Sequence, residues 1–120
     1  MNNVASLQNS KKLYELSGWD DTYWVHSVDE WGDMPDVETA RSVGMVYGRA
    51  SEAPAYECGY LLRRIEKTIL TSNGGIWTAT YIPSLDVNSF RASEAGTPED
   101  ALCLLAIKLF EEGVLTKEEN

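Results

Sequence analysis

The chain is 120 residues long, a length at which one domain can bury roughly two-thirds of its unfolded surface without disulfide support. Its hydrophobic fraction of 43% is typical of a globular protein, and no apolar run reaches the roughly 18 residues of a membrane-spanning helix. The formal net charge of −9 argues against nucleic-acid binding through a basic surface. We therefore expect a single domain that binds neither membranes nor nucleic acids directly.

Both ends of the chain are polar. The first residues, MNNVASLQNS, lack the basic segment and the apolar core of a secretory signal. We expect residues 1–9 and 116–120 to be flexible ends.

A short helix is predicted over Asn9–Ser17. Either Ser10 or Asn9 can cap this helix, and Gly18 can end it. The next segment, Thr22–Val28, is rich in β-branched and aromatic residues and is therefore predicted to be a strand. His26 is interpreted as a half-exposed residue of this strand, because a metal site would need further ligands that the sequence does not provide.

The middle of the chain gives weaker signals. Asp29–Pro35 is predicted to be a loop by its glycine, proline and acidic content. Asp36 can cap a short helix that runs to Val43, and Met45–Gly48 is predicted to be extended.

The C-terminal half predicts five elements in the order helix, strand, strand, strand, helix. Apolar residues at intervals of three and four indicate the first helix, and alternation indicates the strands. Asn73, Gly74 and Gly75 are a hairpin signal, since asparagine and glycine accept positive φ. The predicted elements are, in order, Pro54–Ile65, Lys67–Ser72, Ile76–Ile82, Ser89–Ala95 and Thr97–Leu115.

The last of these helices has the clearest boundaries. Thr97 can accept a hydrogen bond from a free N–H of the first turn, and Pro98 suits the first helical position. Gly113 is a candidate for the left-handed residue that ends the helix, with Val114 folding back on the last turn as in a Schellman cap.

This order predicts an α+β fold, in which helices cover a three-stranded or slightly larger antiparallel sheet. The middle strand carries Trp77, Ala79 and Tyr81 on one face and a threonine-rich set on the other. Alternation alone does not say which face the two long helices cover. If the aromatic face points away from them, the N-terminal elements would cover it, and helices would lie on both sides of the sheet.

The topology of residues 54–115 resembles that of the double-stranded-RNA-binding domain. That family contacts phosphates with a lysine-rich start to its last helix. Here Glu99 and Asp100 occupy that position, and their carboxylates would repel phosphate. The resemblance therefore implies a fold, and the departure from it argues against RNA binding.

A second resemblance covers somewhat over half of the chain. Its sequences are LYELSGW at 13–19, PAYECGYLLRR at 54–64, IWTATY at 76–81 and FRASEAGTPEDALCLLAIKLFEEGVL at 90–115. In these segments the chain is similar to small uncharacterised bacteriophage and prophage proteins of the phage ABA-sandwich type. The resemblance implies a helix–sheet–helix sandwich, a phage or prophage origin and the cytoplasm of a bacterial host. It implies no substrate.

The segment 19–38 has the most unusual composition. It contains seven acidic residues and three tryptophans but no lysine or arginine. One interpretation is a solvated acidic loop beside core tryptophans, and a calcium loop is poorly supported because the Asp-x-Asp-x-Asp-Gly pattern is missing. The other is a surface that binds a basic patch of a protein, since aromatic residues supply affinity and charges supply specificity. The candidate partner-binding residues are Trp24, Asp29, Glu30, Trp31 and Asp33.

Basic residues are concentrated at Arg63, Arg64 and Lys67. They are interpreted as complementing the end of a helix and pairing with the acidic segment, or alternatively as one side of a self-association contact. Cys58 and Cys103 are interpreted as buried free thiols, since no signal peptide or metal-binding spacing accompanies them.

No catalytic motif is present, so we predict no catalytic residues, no metal and no cofactor. The leading prediction is a non-enzymatic protein that binds another macromolecule, a protein rather than a nucleic acid, with host takeover or anti-defence as one form of that activity. The alternatives are a small ligand-binding or enzymatic domain and an oligomeric structural or assembly protein.

Overall fold

The computed structural model of the protein describes residues 4–22, 24–28, 35–39 and 51–117. This part of the chain forms three α-helices, one short 3-10 turn and six strands. The helices are α1 Leu7–Ser17, α2 Cys58–Arg64 and α3 Pro98–Glu111, and the 3-10 turn is Val87–Ser89. The strands are β1 Trp24–Val28, β2 Pro35–Thr39, β3 Ser51–Ala55, β4 Thr68–Asn73, β5 Ile76–Tyr81 and β6 Arg91–Ala95.

The strands form two antiparallel sheets, which have the orders β2-β1-β3 and β4-β5-β6. The predicted α+β class is confirmed, and so is the order helix, three strands, helix in the C-terminal half. In the second sheet Ala79 lies opposite Leu70 of β4 and Ser93 of β6.

The first sheet was not predicted. Two of its strands contain residues that were predicted to lie in helices. Residues 36–39, expected to begin a helix, lie in β2, where Val37 pairs with His26 of β1. Pro54, expected to open a helix, lies in β3 and pairs with Val25, so that α2 begins only at Cys58. A proline is tolerated in β3 because this strand is at the edge of its sheet. The predictions for residues 29–34 and 40–50 lie outside the described residues.

The boundaries of α3 are those that the sequence predicts. The Thr97 hydroxyl accepts a hydrogen bond from the Asp100 N–H (3.2 Å). At the other end Gly113 has φ 79°, and the Val114 N–H donates to the Leu109 carbonyl (2.9 Å). This is the Schellman arrangement, in which the carbonyls of the last turn find partners.

Helix α1 begins at Leu7, two residues before its predicted start. The Ser6 side chain caps it by accepting from the Asn9 N–H (3.3 Å), whereas Asn9 and Ser10, the two predicted caps, both lie within the helix. Gly18 ends the helix as predicted, in the left-handed conformation at φ 72°.

The core lies against α3, whose buried side chains are Ala101, Leu102, Cys103, Leu105, Ala106, Ile107 and Leu109. This core includes Ala79 of β5, and Trp77 and Tyr81 of the same strand pack against it. The aromatic face of the second sheet is therefore the face that the helices cover. On the opposite face Ile69 and Ile76 remain about half exposed (52% and 47%).

The layers follow from these contacts. Helix α3 packs on β5 and β6 and also on α1 and α2, and α1 in turn packs against β3 of the first sheet. Within the described residues no element covers the threonine-rich face of the second sheet. This arrangement of layers differs from the helix–sheet–helix sandwich that the resemblance implies. No described helix is long and apolar enough to cross a bilayer.

Candidate functional site

A concave site lies where α1 ends and the acidic segment begins. The left-handed turn at Gly18 directs the following residues toward the C-terminal end of α2. The cleft there has a volume of about 340 Å³ and is open to solvent on one side. We call it the Trp19 cleft, and it is lined by Ser17, Gly18, Trp19, Asp20, Asp21, Arg64 and Lys117.

Arg64 is the central side chain of the Trp19 cleft. It lies in the last turn of α2, where the helix dipole favours a cation. Its Nη2 atom lies 2.6 Å from Asp21 Oδ1. Its guanidinium carbon lies 5.5 Å from the centroid of the Trp19 ring and 5.3 Å from that of Tyr60. These distances are those of a cation held by a carboxylate and two aromatic faces.

Tyr60 also holds the Asp21 carboxylate in place beside Arg64. It is buried, and its hydroxyl donates a hydrogen bond to the same Oδ1 atom of Asp21 that Arg64 contacts. The hydrogen bond from Tyr60, followed by that from Arg64, lowers the pKa of Asp21, although partial desolvation opposes the shift. Burial and the hydrogen bond to Asp21 raise the pKa of Tyr60. Asp21 is therefore an anion, and Tyr60 a neutral donor, throughout the neutral pH range.

Trp19 is fixed by three contacts. Its backbone N–H donates to Ser17 Oγ (3.0 Å), and its carbonyl accepts from the hydroxyl of the buried Tyr56 (2.6 Å). Its ring meets Phe110 of α3 edge to face, with centroids 5.3 Å apart. The aromatic wall of the cleft is therefore preformed. We call Trp19, Asp21 and Tyr60 together the cage.

Comparison with known protein families, curated proteins and solved structures finds no match to this chain. The function is therefore inferred from the geometry and chemistry of the site.

The structure tests one of the two predictions about the acidic segment. The predicted pairing between the basic residues and this segment is confirmed at Arg64 and Asp21. The predicted partner-binding residues are not tested: the backbone of Trp24 lies in β1, opposite Thr39 and Ala55. Asp29, Glu30, Trp31 and Asp33 lie outside the described residues, so their role stays a prediction.

Tyr60 and Tyr56 are not among the residues that the sequence pattern predicts for a site. Tyr60 and Arg64 are four residues apart on α2, a spacing that places two side chains side by side on one helix face. From this spacing alone, the sequence could have predicted that Tyr60 and Arg64 lie together in one site. The apolar pattern that predicted this helix contains Ala55, Cys58, Leu61, Leu62 and Ile65 and leaves Tyr60 out, although Leu61 and Ile65 are buried as it indicates.

His26 was predicted to be half exposed. In the structure it is buried, with 5% of its surface accessible. Its Nε2 atom lies 2.9 Å from the Ala5 carbonyl and 3.3 Å from Ser10 Oγ. Ala5 is itself fully buried, and its N–H donates to the Tyr56 carbonyl (2.8 Å), so this part of the expected flexible end is packed in the core. The histidine therefore joins β1 to α1 and has a structural role.

The two thiols are free, as predicted. Cys58 is half buried, and its Sγ donates to Glu99 Oε2 (3.3 Å); desolvation together with that carboxylate raises its pKa to about 12. Cys103 is fully buried and donates to the Asn9 carbonyl (3.4 Å). Burial raises its pKa as well, so neither sulfur is a thiolate nucleophile near neutral pH.

The carboxylates at the start of α3 have structural partners. Asp100 Oδ1 accepts from the Ser6 N–H (2.8 Å) and from Asn9 Nδ2 (2.9 Å), which ties the first turns of α1 and α3 together. Glu99 accepts from Cys58. In the described part of the chain, no group of three or more histidine, cysteine or acidic side chains is placed to hold a metal ion.

Proposed function

We propose that this protein acts without catalysis, by binding another macromolecule: a protein whose contact surface is basic. The observation that carries the proposal is the seating of Arg64 in the cage. A guanidinium group already lies there against two aromatic faces and a carboxylate, at the point where the acidic segment 19–38 begins. The start of this segment therefore has the chemistry that basic side chains of a partner require.

The charge of the chain supports a basic partner. The net charge is −9, and the segment 19–38 contributes seven carboxylates without a single lysine or arginine. An acidic surface accelerates encounter with a basic protein and disfavours nucleic acid. The exposed Asp20, next to Asp21, extends the negative charge to the rim of the cleft.

The protonation states at the cleft favour binding over acid–base chemistry. A general acid or base works best with a pKa near the working pH. The pKa of Asp21 is lowered and that of Tyr60 is raised, so neither group exchanges a proton readily near neutrality.

The specific form that we propose is a host-takeover or anti-defence factor of a phage or prophage, whose acidic surface occupies a basic channel of a host protein. It follows from the resemblance to phage proteins together with the charge. A channel that binds nucleic-acid phosphates is a basic surface of the required kind.

The test is affinity capture with the full chain from bacterial lysate at low and moderate salt, followed by identification of the recovered proteins. The acidic-segment variant is Asp29→Asn, Glu30→Gln, Asp33→Asn. The matched control removes three exposed carboxylates elsewhere and is Glu15→Gln, Glu66→Gln, Glu94→Gln. We expect the wild type and the control to retain a basic-surfaced protein that the acidic-segment variant loses. Recovery of no such protein at either salt concentration would contradict the proposal.

A further inference from the structure

The cage contains a ligand that the chain itself supplies. We propose that Trp19, Asp21 and Tyr60 form an arginine-recognition site, which Arg64 fills in the free protein and which an arginine side chain of the partner occupies in the complex. This inference rests on the proposed function, because it identifies the group of the basic partner that is bound and the place where it binds.

The geometry of the cage selects a guanidinium. A planar guanidinium can stack on aromatic rings while its edge donates to a carboxylate, whereas a lysine ammonium is a compact and strongly hydrated charge. Arg64 makes both kinds of contact, at 5.3 and 5.5 Å from the ring centroids and 2.6 Å from Asp21. An arginine from outside would meet the same surfaces.

The Asp21 carboxylate is open to an incoming guanidinium. The hydrogen bonds that it accepts from other side chains, Tyr60 and Arg64, both end on Oδ1, and its own backbone N–H is a further donor to the carboxylate. The Asp21 side chain is 65% exposed, so an incoming guanidinium can reach the carboxylate from solvent. A two-pronged contact with both carboxylate oxygens is the strongest form of this pair.

An incoming guanidinium makes the same ion pair and ring contacts that Arg64 gives up, so the net cost of the exchange is small. The Arg64 side chain is also about one-third exposed (31%), and an ion pair that solvent reaches contributes little net stability. The rest of the cage stays in place, since Trp19 is held by Tyr56 and Phe110. Replacing one arginine by another also keeps the charge of the cleft, where Asp20 and Asp21 face Arg64 and Lys117.

The probe is a capped peptide that carries three arginines spaced by glycine and serine, with the three-lysine peptide as its counterpart. Affinities are measured by titration calorimetry with the full chain. For the arginine peptide, Arg64→Ala should bind roughly 3- to 10-fold more tightly than the wild type, since it no longer competes for the cage. Asp21→Asn should bind it at least about 5-fold more weakly, since the charged partner of the guanidinium is lost.

Exposed residues outside the cage supply matched controls. Arg63→Ala removes the same charge from the same exposed turn, and Glu94→Gln removes a carboxylate from β6, away from the Trp19 cleft. We expect both controls to change affinity by less than about 2-fold, as distant or screened charges do. Arg64→Gln, which keeps more of the side-chain stem, should reproduce the gain and serves if the alanine variant loses its near-ultraviolet circular dichroism.

The outcomes separate this inference from the proposed function. Equal gains for Arg64→Ala and Arg63→Ala, or equal binding of the arginine and lysine peptides, would overturn the arginine site while leaving a basic partner in place. If neither peptide binds the wild type or Arg64→Ala at low salt, the arginine site is overturned. If the lysate then also yields no basic protein, the proposed function falls with it.

Discussion

At the scale of single residues, the buried His26 shows how the surroundings determine a protonation state. Its Nε2 atom lies 2.9 Å from the Ala5 carbonyl, which can only accept, so Nε2 carries the proton of the neutral ring. Burial lowers the pKa of His26, although the hydrogen bond to Ala5 and the charge of Asp100 oppose the shift. The folded protein therefore favours the neutral histidine.

This shift predicts how stability depends on pH. The unfolded chain binds a proton at His26 near its ordinary pKa of 6.5, whereas the folded protein binds it only at lower pH. The contribution of this group to the free energy of unfolding is thus complete above pH 6.5 and is lost as pH falls from there toward the lowered pKa. Urea unfolding between about pH 7 and pH 5 measures the loss.

His26→Gln is the matched variant for this measurement. Its side-chain amide can still donate to the Ala5 carbonyl, but it does not titrate. We expect its stability to fall less steeply than that of the wild type over the same pH range. Parallel pH profiles of the two proteins would assign the loss to other groups.

At the scale of the elements, helix ends and turns were predictable because their signals are local. Thr97, Pro98 and Gly113 set the limits of α3, and two positive-φ glycines make the turn between β4 and β5. The first sheet was not predictable, because β2 and β3 exist through pairing with β1, which no local pattern reports. The cage likewise joins residues about 40 positions apart, so only its charge pairing could be predicted.

The end of α3 provides a test of backbone conformation alone. Gly113 has φ 79°, and a Cβ atom placed on it would meet nothing within 4 Å. Gly113→Ala should therefore destabilise the protein by about 1–2 kcal/mol through the left-handed backbone only. Gly96→Ala is the control, since that residue has equally open surroundings without positive φ. Similar unfolding free energies for the two variants would contradict this explanation.

The Asp100 carboxylate joins the first turns of α1 and α3. Asp100→Ala leaves the Ser6 N–H and the Asn9 side-chain amide without their acceptor. We expect a loss of about 1–3 kcal/mol in the free energy of unfolding. Asp100→Asn keeps one acceptor oxygen and should lose less. If both variants unfold at the urea concentration of the wild type, the contact does not stabilise the junction.

At the scale of the whole molecule, two electrostatic effects of opposite sign compete. The described residues contain three ion pairs: Lys12–Glu111, Arg64–Asp21 and Arg91–Glu112. All three are partly or largely exposed, so each contributes about 1 kcal/mol at most, and salt weakens them. The net charge of −9 produces repulsion across the folded chain, and salt relieves it. Since most carboxylates of the described residues lie outside these three pairs, we expect relief of repulsion to dominate.

Stability should therefore rise as sodium chloride increases from about 20 mM to about 300 mM, a range over which the screening length falls several-fold. The variant Glu15→Gln, Glu66→Gln, Glu94→Gln lowers the formal charge from −9 to −6 by removing three carboxylates that belong to none of the three pairs. It should be more stable than the wild type at low salt and gain less from added salt. A wild type that loses stability with salt would show instead that the ion pairs dominate.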